Sequence, residues 1–304
     1  MTTTILLFLL GLSGPKVLCT PLLLSAIALP IFIANEVYVA SDPIIPVSVL
    51  RSRGTLLTCA ATTGFMMARW GVLFYAPVYA LAVRGWAPAV AGSILIPTNA
   101  GFALGGLLAG VFHIKRTGSF YLHTVIAMAL FPLTITILAF ISTPSTPGSV
   151  YVTIVFLNGL VTGATTNYAL VHLLHLTLPE VHPVVISLLT TFRGFAGSFG
   201  SAIGGGFFVR VLGKSLADGF EREGLEHRDD LIHRLLGSPA LVNQLNGMER
   251  SVAVGAYQDA LKALFLGAAA LSLLVAFVQA GTGWTAPASK VADAGRGEEA
   301  LDGA

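Results

Sequence analysis

Acidic side chains are absent from the interior of every long apolar stretch in this chain. Two basic residues do occur there, since Arg69 and Arg193 lie near the middle of stretches long enough to cross a bilayer. A guanidinium at the centre of a membrane costs about 2.5 to 3.5 kcal/mol on insertion scales, so it usually faces a cavity, a partner or a solute. The sequence therefore predicts buried positive charge without a visible acidic partner. This favours a solute site, and it suggests that part of the complete protein lies outside this chain.

Charge is scarce along the whole sequence. Of its 304 residues only 11% are charged and 55% are hydrophobic, with a mean hydropathy of +0.81. No soluble domain of this size needs such a composition, so we expect a polytopic membrane protein in contact with the lipid bilayer. The net charge of +2 comes from scattered basic residues that form no stripe, and no nucleic-acid partner is expected.

Cysteine is also rare, and the two cysteines, Cys19 and Cys59, are far apart in apolar surroundings. They are expected to pack as small hydrophobic residues, without a disulfide framework or a cofactor. One remote alternative is an intramembrane metalloenzyme, because His172 and His175 share a helix face. No second histidine box with matching spacing is present, so we predict a protein that is not an enzyme.

Seven stretches contain about 20 consecutive, mostly apolar residues, the length that crosses a hydrocarbon core of about 30 Å. Residues 5–14 form a shorter apolar run that cannot cross, and we interpret it as the end of a truncated helix, with a signal peptide as the alternative. The seven predicted spans are residues 17–38, 55–82, 88–112, 120–141, 149–175, 184–212 and 257–280.

Basic residues in the short loops predict the orientation of the spans. Arg51, Arg53, Lys115 and Arg116 follow the first and third spans, whereas Arg84 is almost the only basic residue in the short loops of the other side. The first group is predicted to be cytosolic. Residues 213–256 are then a non-cytosolic loop carrying a surface amphipathic helix, and residues 281–304 are expected to be a disordered cytosolic tail.

Small residues recur at helical spacing in two predicted spans. The sixth span contains Gly197, Gly200 and Gly204, and the third contains a similar series that ends at Gly110. Such residues let helices approach closely, and they also permit bending during a conformational change. Both readings stay open from the sequence.

A few polar residues inside the spans are candidates for solute contact. Arg193 is predicted to bind a substrate or anion, the alternative being neighbouring backbone carbonyls; for Arg69 the alternative is an anchoring pair with Trp70. The other candidates have packing alternatives: interhelical hydrogen bonds for the asparagines and an interfacial aromatic belt for the tyrosines. These are Asn99, Asn167, Tyr75 and Tyr79.

Three segments together resemble a known family. Residues 35–53 read NEVYVASDPIIPVSVLRSR, residues 74–122 read FYAPVYALAVRGWAPAVAGSILIPTNAGFALGGLLAGVFHIKRTGSFYL, and residues 187–208 read SLLTTFRGFAGSFGSAIGGGFF. They are similar to the C-terminal half of a fungal major facilitator superfamily (MFS) transporter. The branch is that of the fourteen-span drug:proton antiporters, which includes proteins similar to vacuolar basic amino acid permeases.

The resemblance implies a fold and a motif. The fold is half of an MFS helical bundle, an all-α membrane protein of about seven transmembrane helices with 3+3 inverted repeats, and solute binds between two such halves. Gly110, Lys115, Arg116 and Gly118 match the family's cytosolic loop motif, although its usual Asp is absent here. The first six spans of the family, with much of its proton-coupling chemistry, have no counterpart in this chain.

The resemblance and the residues together predict transmembrane transport of a small organic solute, an amino acid or a drug-like compound, by alternating access. Proton coupling is expected in the complete protein, in a vacuolar or plasma membrane, with a missing N-terminal half or a second copy as partner. The alternative is a transport-inactive fragment or an assembly partner. We expect residues 1–54 to be a remnant of the central linker helices, and residues 55–280 to be the six-helix transporter half.

Overall fold

The structure, a computed structural model, describes residues 2–14, 16–38, 52–114, 120–225 and 228–283, and within these ranges it is helical without a strand. The predicted loop residues Lys115, Arg116 and Gly118 lie outside the described residues, as does nearly all of the predicted tail. The helices are α1 Thr2–Leu12, α2 Cys19–Tyr38, α3 Arg53–Val78, α4 Pro88–Ser93, α5 Leu95–Leu108, α6 Tyr121–Ile141, α7 Gly148–His175, α8 His182–Arg222, α9 Asp229–Gly237 and α10 Gly247–Ala280. Short π-helical turns, Tyr79–Val83 and Ala109–His113, extend α3 and α5.

Six helical segments of the described residues are long and apolar enough to cross a membrane. A helix satisfies its own backbone hydrogen bonds, which is why apolar chains cross lipid in this form. The first predicted span is also helical, as α2, but its apolar part, Cys19–Phe32, is shorter than the other six. The expectation of an integral, all-helical membrane protein is confirmed.

Two helices are longer than the spans predicted within them. Helix α8 continues past residue 212 to Arg222, and α10 begins at Gly247, ten residues before the predicted last span. Helical hydrogen bonding does not need an apolar sequence, so hydropathy predicts the apolar part of a helix and not its ends. The segment predicted as a loop over 213–256 is therefore largely helical.

The predicted surface helix is present as α9. Leu235 is fully buried under it, and the Tyr257 hydroxyl of α10 donates a hydrogen bond of 2.5 Å to the Leu235 carbonyl. Its charged side faces outward, where Arg228 forms an ion pair of 2.8 Å with Glu249. The amphipathic pattern thus covers one end of the bundle without adding a span.

The short opening helix α1 pairs with α2 and lies against α8. Phe8 meets Phe199 edge to face, with ring centroids 5.6 Å apart. Arg210 of α8 donates from Nη1 to the carbonyl of Gly14 at 3.1 Å and to that of Leu12 at 3.4 Å. A cation at a helix C-terminus interacts favourably with the helix dipole, so Arg210 fastens α1 to the bundle.

Helix α3 lies in the middle of the bundle and contacts α7, α8 and α10. One of its sides holds a buried polar network and the other adjoins a cavity, and those two sides contain most of the predicted site residues.

Candidate functional site

Arg69 is buried inside the bundle, with 4% of its surface exposed. Its Nη1 donates to the Asn158 side-chain oxygen of α7 at 3.1 Å and to the Thr98 hydroxyl of α5 at 3.2 Å. Its Nη2 donates to the Thr98 carbonyl at 3.4 Å. Within the described part of the chain these partners are all neutral, so hydrogen bonds alone hold the charge.

The partners of Arg69 are themselves fixed. The Asn158 amide nitrogen donates to the Thr134 hydroxyl of α6 at 2.9 Å, and the Thr98 hydroxyl donates to the Val155 carbonyl at 3.2 Å. One guanidinium therefore joins α3 directly to α5 and α7, and through Asn158 to α6. A polar group removed from water is costly unless it is hydrogen-bonded, so this network keeps the four helices in register.

The alternative of an Arg69–Trp70 anchoring pair is not what is observed. Trp70 points toward α8, where it lies next to Gly197. There it stacks on Phe74, with ring centroids 5.5 Å apart. Consecutive residues on a helix are about 100° apart, and here that angle separates a buried cation from an aromatic ring at the next interface.

Arg193 has a different environment. It lies on α8, about 16 Å along the helix from His182 by helical rise, and it is half-buried. Among the described residues no hydrogen bond or ion pair to its side chain occurs. Arg193 shares one face of α8 with Gly197, Gly200 and Gly204, by their spacing in the sequence.

That face of α8 approaches α3 closely and then leaves a space. A Cβ on Gly200 would crowd the Met67 backbone, whereas one on Gly204 would have only ordinary contact, with Leu264. Beyond this contact a cavity of about 310 Å³ opens between α3, α8 and α10, apolar except for the single cation Arg210. Its lining includes Met67, Gly71, Gly200, Gly204, Arg210 and Gly267.

The two predicted tyrosines have separate positions. Tyr79 is completely buried, stacks on Tyr151 with centroids 4.0 Å apart, and donates to the Thr143 carbonyl at 3.1 Å. Tyr75 is half-buried, and its ring centroid lies 4.5 Å from that of Phe208 on α8. Tyr75 thus faces the α8 side of α3, whereas Tyr79 is a packing residue in this conformation.

The two predicted asparagines also lie apart. Asn167 donates to the Gly106 carbonyl at 2.8 Å and so joins α7 to α5. Asn99 is exposed and donates to the Leu95 carbonyl of its own helix at 2.9 Å. The six predicted solute-contact residues do not form one cluster around a common atom, and Arg193, with Tyr75, stays on the α8 side.

Sequence reasoning overlooked the closest helix contact. Gly101 and Gly105 of α5 lie against the α7 backbone at Phe156 and Leu160, and a Cβ on either glycine would clash with it. In return, Gly159 and Gly163 of α7 lie against the α5 backbone. Two small-xxx-small pairs, which are visible in the sequence, therefore face each other, and the glycine series of α5 was singled out from the sequence but the pair of α7 was not.

A metal centre is not indicated. In the part of the chain that the structure describes, no three His, Cys, Asp or Glu side chains come together in a way that could hold a metal ion. His172, one of the two histidines considered above, is buried beside Thr282, with His172 Nε2 3.2 Å from the threonine hydroxyl.

Comparison with known proteins shows what this arrangement is similar to. No family model matches the chain. It is 25% identical over 262 residues to MFS transporter L2 of Phoma sp., covering 83% of this chain and 42% of that protein. It is 23% identical to MFS-type transporter clz4 of Cochliobolus lunatus, and the match covers 90% of this chain and 48% of that protein. It is 24% identical to MFS-type transporter ppz2 of Metarhizium majus, and that match covers 76% of this chain and 40% of that protein.

A solved structure has the same fold. The crystal structure of a bacterial homolog of the human lysosomal transporter Spinster, inward-facing and unoccupied, matches with a TM-score of 0.50 at 14% identity. The match covers 88% of this chain and 60% of that chain. The homologues of this chain are thus fungal MFS transporters, its fold is that of an MFS transporter, and it spans less than half the length of those fungal relatives. These findings support membrane solute transport and agree with a protein that is not an enzyme.

Proposed function

We propose that this chain forms one helical bundle of a secondary transporter that moves a small organic solute by alternating access. The observation that carries the proposal is Arg193, a cation about 16 Å along a membrane helix with no partner among the described residues. A guanidinium at this depth is expensive unless solvent, a partner or a solute compensates its charge. The cavity lined by Gly200 and Gly204 lies on the same face of α8, beginning about 10 Å further along the helix.

The proposed solute carries a carboxylate, since the planar guanidinium fork binds a carboxylate with two parallel hydrogen bonds. An amino acid or a drug-like acid fits this requirement. Tyr75, on the same side of α3, is proposed to line the pathway. Gly197, Gly200 and Gly204 are proposed to let α8 shift against α3, and Gly110, Lys115, Arg116 and Gly118 to act at the cytosolic loop.

We further propose that the pathway needs a second bundle, supplied by an N-terminal half or a second copy of this chain. The relatives named above are about twice as long as the matched region, and MFS solutes bind between two bundles. As parts of the same proposal, transport is coupled to protons, and the complete protein is of the fourteen-span drug:proton antiporter branch. Its location is a vacuolar or plasma membrane. The chain reconstituted at one copy per vesicle should therefore show no proton-driven uptake, and clear uptake at that dilution would contradict the need for a second bundle.

Ligand-induced stabilisation tests the solute site directly on the purified chain. A ligand that binds the folded state raises the unfolding temperature. A panel of carboxylates and their neutral amides, amino acids included, is added to the chain in detergent, and the midpoint is followed. We expect at least one carboxylate, and not its amide, to raise the midpoint, an effect lost in Arg193→Ala and partly kept in Arg193→Lys.

Arg222→Ala is the matched control, because Arg222 is an exposed arginine at the end of the same helix. Stabilisation that survives in Arg193→Ala, or is lost equally in Arg222→Ala, would remove Arg193 from the site. A transport-inactive assembly partner is the competing function, and it predicts stabilisation by none of the solutes.

A further inference from the structure

Three threonines of α3 carry hydroxyl groups that the described structure leaves without a hydrogen-bond partner, although they are buried. Thr55, Thr58 and Thr62 are at most 1% exposed, and each Oγ1 is unpaired. A threonine inside a helix commonly donates to the carbonyl four residues earlier. Many other threonines of this protein do so, namely Thr63, Thr124, Thr136, Thr153, Thr162, Thr165, Thr166, Thr190 and Thr191.

The three hydroxyls lie on the side of α3 that faces α7. Their spacing places them on the same face as Arg69, which donates to Asn158 of α7. Two flanking observations agree, because Cys59 belongs to a buried apolar cluster that includes Leu173 of α7, and a Cβ on Gly54 would meet Leu176 just beyond α7. A buried polar seam therefore follows α3 from Thr55 to Thr62, and Arg69 lies on the same face two turns further on.

The opposite wall of the seam is polar as well. Asn158, Thr162, Thr165 and His172 are at most 1% exposed and share one face of α7, by their spacing. Since α3 and α7 run antiparallel, with Arg69 level with Asn158 and Gly54 near Leu176, the His172 end of this face is level with Thr55 and Thr58. Of these four side chains only His172 has an unpaired atom, Nδ1, and in a dry interface that atom and the three unpaired α3 hydroxyls would be strongly destabilising.

The protonation state of His172 follows from its neighbour Thr282. The Thr282 hydroxyl has one proton, which it donates to the Gln279 carbonyl at 2.8 Å. The Thr282 hydroxyl oxygen therefore accepts a hydrogen bond from His172 Nε2 at 3.2 Å, and Nε2 carries the ring proton. His172 Nδ1 is then a buried lone pair with no donor, and the Gln279 side chain nearby has both polar atoms buried and unpaired.

We propose that ordered water fills this seam between α3 and α7, and that the lone pair of His172 Nδ1 accepts protons from it. Buried water typically makes about three hydrogen bonds to polar groups that lack protein partners. Hydronium gives its proton to Nδ1 and leaves as water, so that His172 becomes a cation. This inference rests on the proton-coupled transport proposed above and adds a proton-accepting group that lies within the chain.

The described groups around His172 carry no fixed charge. Its neighbour on the same helix is His175. The ring of Tyr121 on α6 has its centroid 5.8 Å from that of His172, and Gln279 and Thr282 approach from the end of α10. Cys59 of α3 lies at the same level. Arg69 is about 21 Å away, because Asn158 and His172 are fourteen residues apart along α7. Among the described neighbours, none carries a fixed positive charge that would exclude a second cation.

Hydroxyl-radical footprinting with X-rays tests the water, because radicals formed on a bound water label the side chains beside it. The chain is irradiated in lipid nanodiscs without any solute. We expect His172 to be oxidised several-fold faster than Phe131, which is equally buried in an apolar part of the bundle. The variant Thr58→Val/Thr62→Val should lose this labelling, while Thr136→Val, a change on α6 outside the seam at a hydroxyl that donates to its own helix, should keep it. Labelling of His172 no faster than that of Phe131 would overturn the proposal.

Solid-state NMR of histidine-labelled chain in the same nanodiscs tests the proton, with His172→Gln to assign the signal. We expect Nδ1 to be unprotonated at neutral pH and to become protonated reversibly in acid, while the chain stays folded. An Nδ1 that remains unprotonated at every pH at which the chain is folded would remove His172 as proton acceptor. Neither measurement uses a solute, so a failure of the solute site at Arg193 leaves both results interpretable.

Discussion

The two sides of α3 pack differently against the neighbouring helices. Toward α5 and α7, Arg69 has three hydrogen bonds, and the glycines of α5 and α7 bring backbones into direct contact. Toward α8, Arg193 has no partner among the described residues, and a cavity of about 310 Å³ adjoins the glycine face. The same two residue types, arginine and glycine, thus build a fixed interface on one side and an open one on the other.

The difference shows that a charged residue in a membrane helix is not informative by itself. Arg69 and Arg193 both lie deep in apolar helices, but only one has neutral acceptors around it. Both terminal nitrogens of Arg69 are already hydrogen-bonded inside the bundle, whereas an unpartnered guanidinium needs a compensating group. We therefore propose a structural role for Arg69 and the solute role for Arg193.

The largest expected effect concerns the glycines of the closed side. Gly105→Leu should prevent folding, because a side chain there would clash with the α7 backbone, which cannot move away as a side chain can. Gly204→Ala on the open side should leave the unfolding temperature nearly unchanged. Size-exclusion profiles and thermal unfolding in detergent measure both, and a folded, stable Gly105→Leu protein would show that the close contact is not needed.

Removing the structural arginine should have the next largest effect. Arg69→Ala deletes three hydrogen bonds and leaves Asn158 and Thr98 with unused acceptors, which should lower the free energy of unfolding by about 2 to 4 kcal/mol. Asn158→Leu should lose part of the same energy, and the double variant should cost less than the sum of the two, because the pair shares one network. Strict additivity would mean that Arg69 and Asn158 act independently.

A smaller effect is expected at Tyr79. Tyr79→Phe removes only the hydrogen bond to the Thr143 carbonyl and keeps the stacking on Tyr151, so the loss should be about 0.5 to 1 kcal/mol. Ligand-induced stabilisation should be unchanged in this variant. If the Tyr79→Phe protein has normal stability but is no longer stabilised by ligand, Tyr79 contacts the solute after all.

The sequence predicted the membrane class and six of the spans well, because lipid demands long apolar helices whatever their packing. It did not reveal the full length of α8 and α10, since both helices extend beyond the apolar stretch, α8 to Arg222 and α10 from Gly247. It could not decide which way Arg69 and Trp70 point, because a helix that is apolar on all sides gives no periodicity from which to read a buried face.

Part of the candidate site could also be predicted from the sequence. Both deep arginines were identified from their depth alone, but the acceptors that distinguish them come from α5 and α7, far away in sequence. The glycine pair of α7, Gly159 and Gly163, had a readable spacing that was overlooked. The roles of Lys115, Arg116 and Gly118 stay predictions.

The central claim is that Arg193 serves a solute and not the fold. The most direct measurement is uptake by a transport-competent assembly containing this chain, normalised to the folded protein in the membrane, for Arg193→Ala and Arg193→Lys. We predict that Arg193→Ala loses most of the uptake while its unfolding temperature stays close to that of the unmodified chain, and that Arg193→Lys recovers part, since it keeps the charge but not the planar fork. Normal uptake by Arg193→Ala, or a loss explained wholly by less folded protein, would contradict the account.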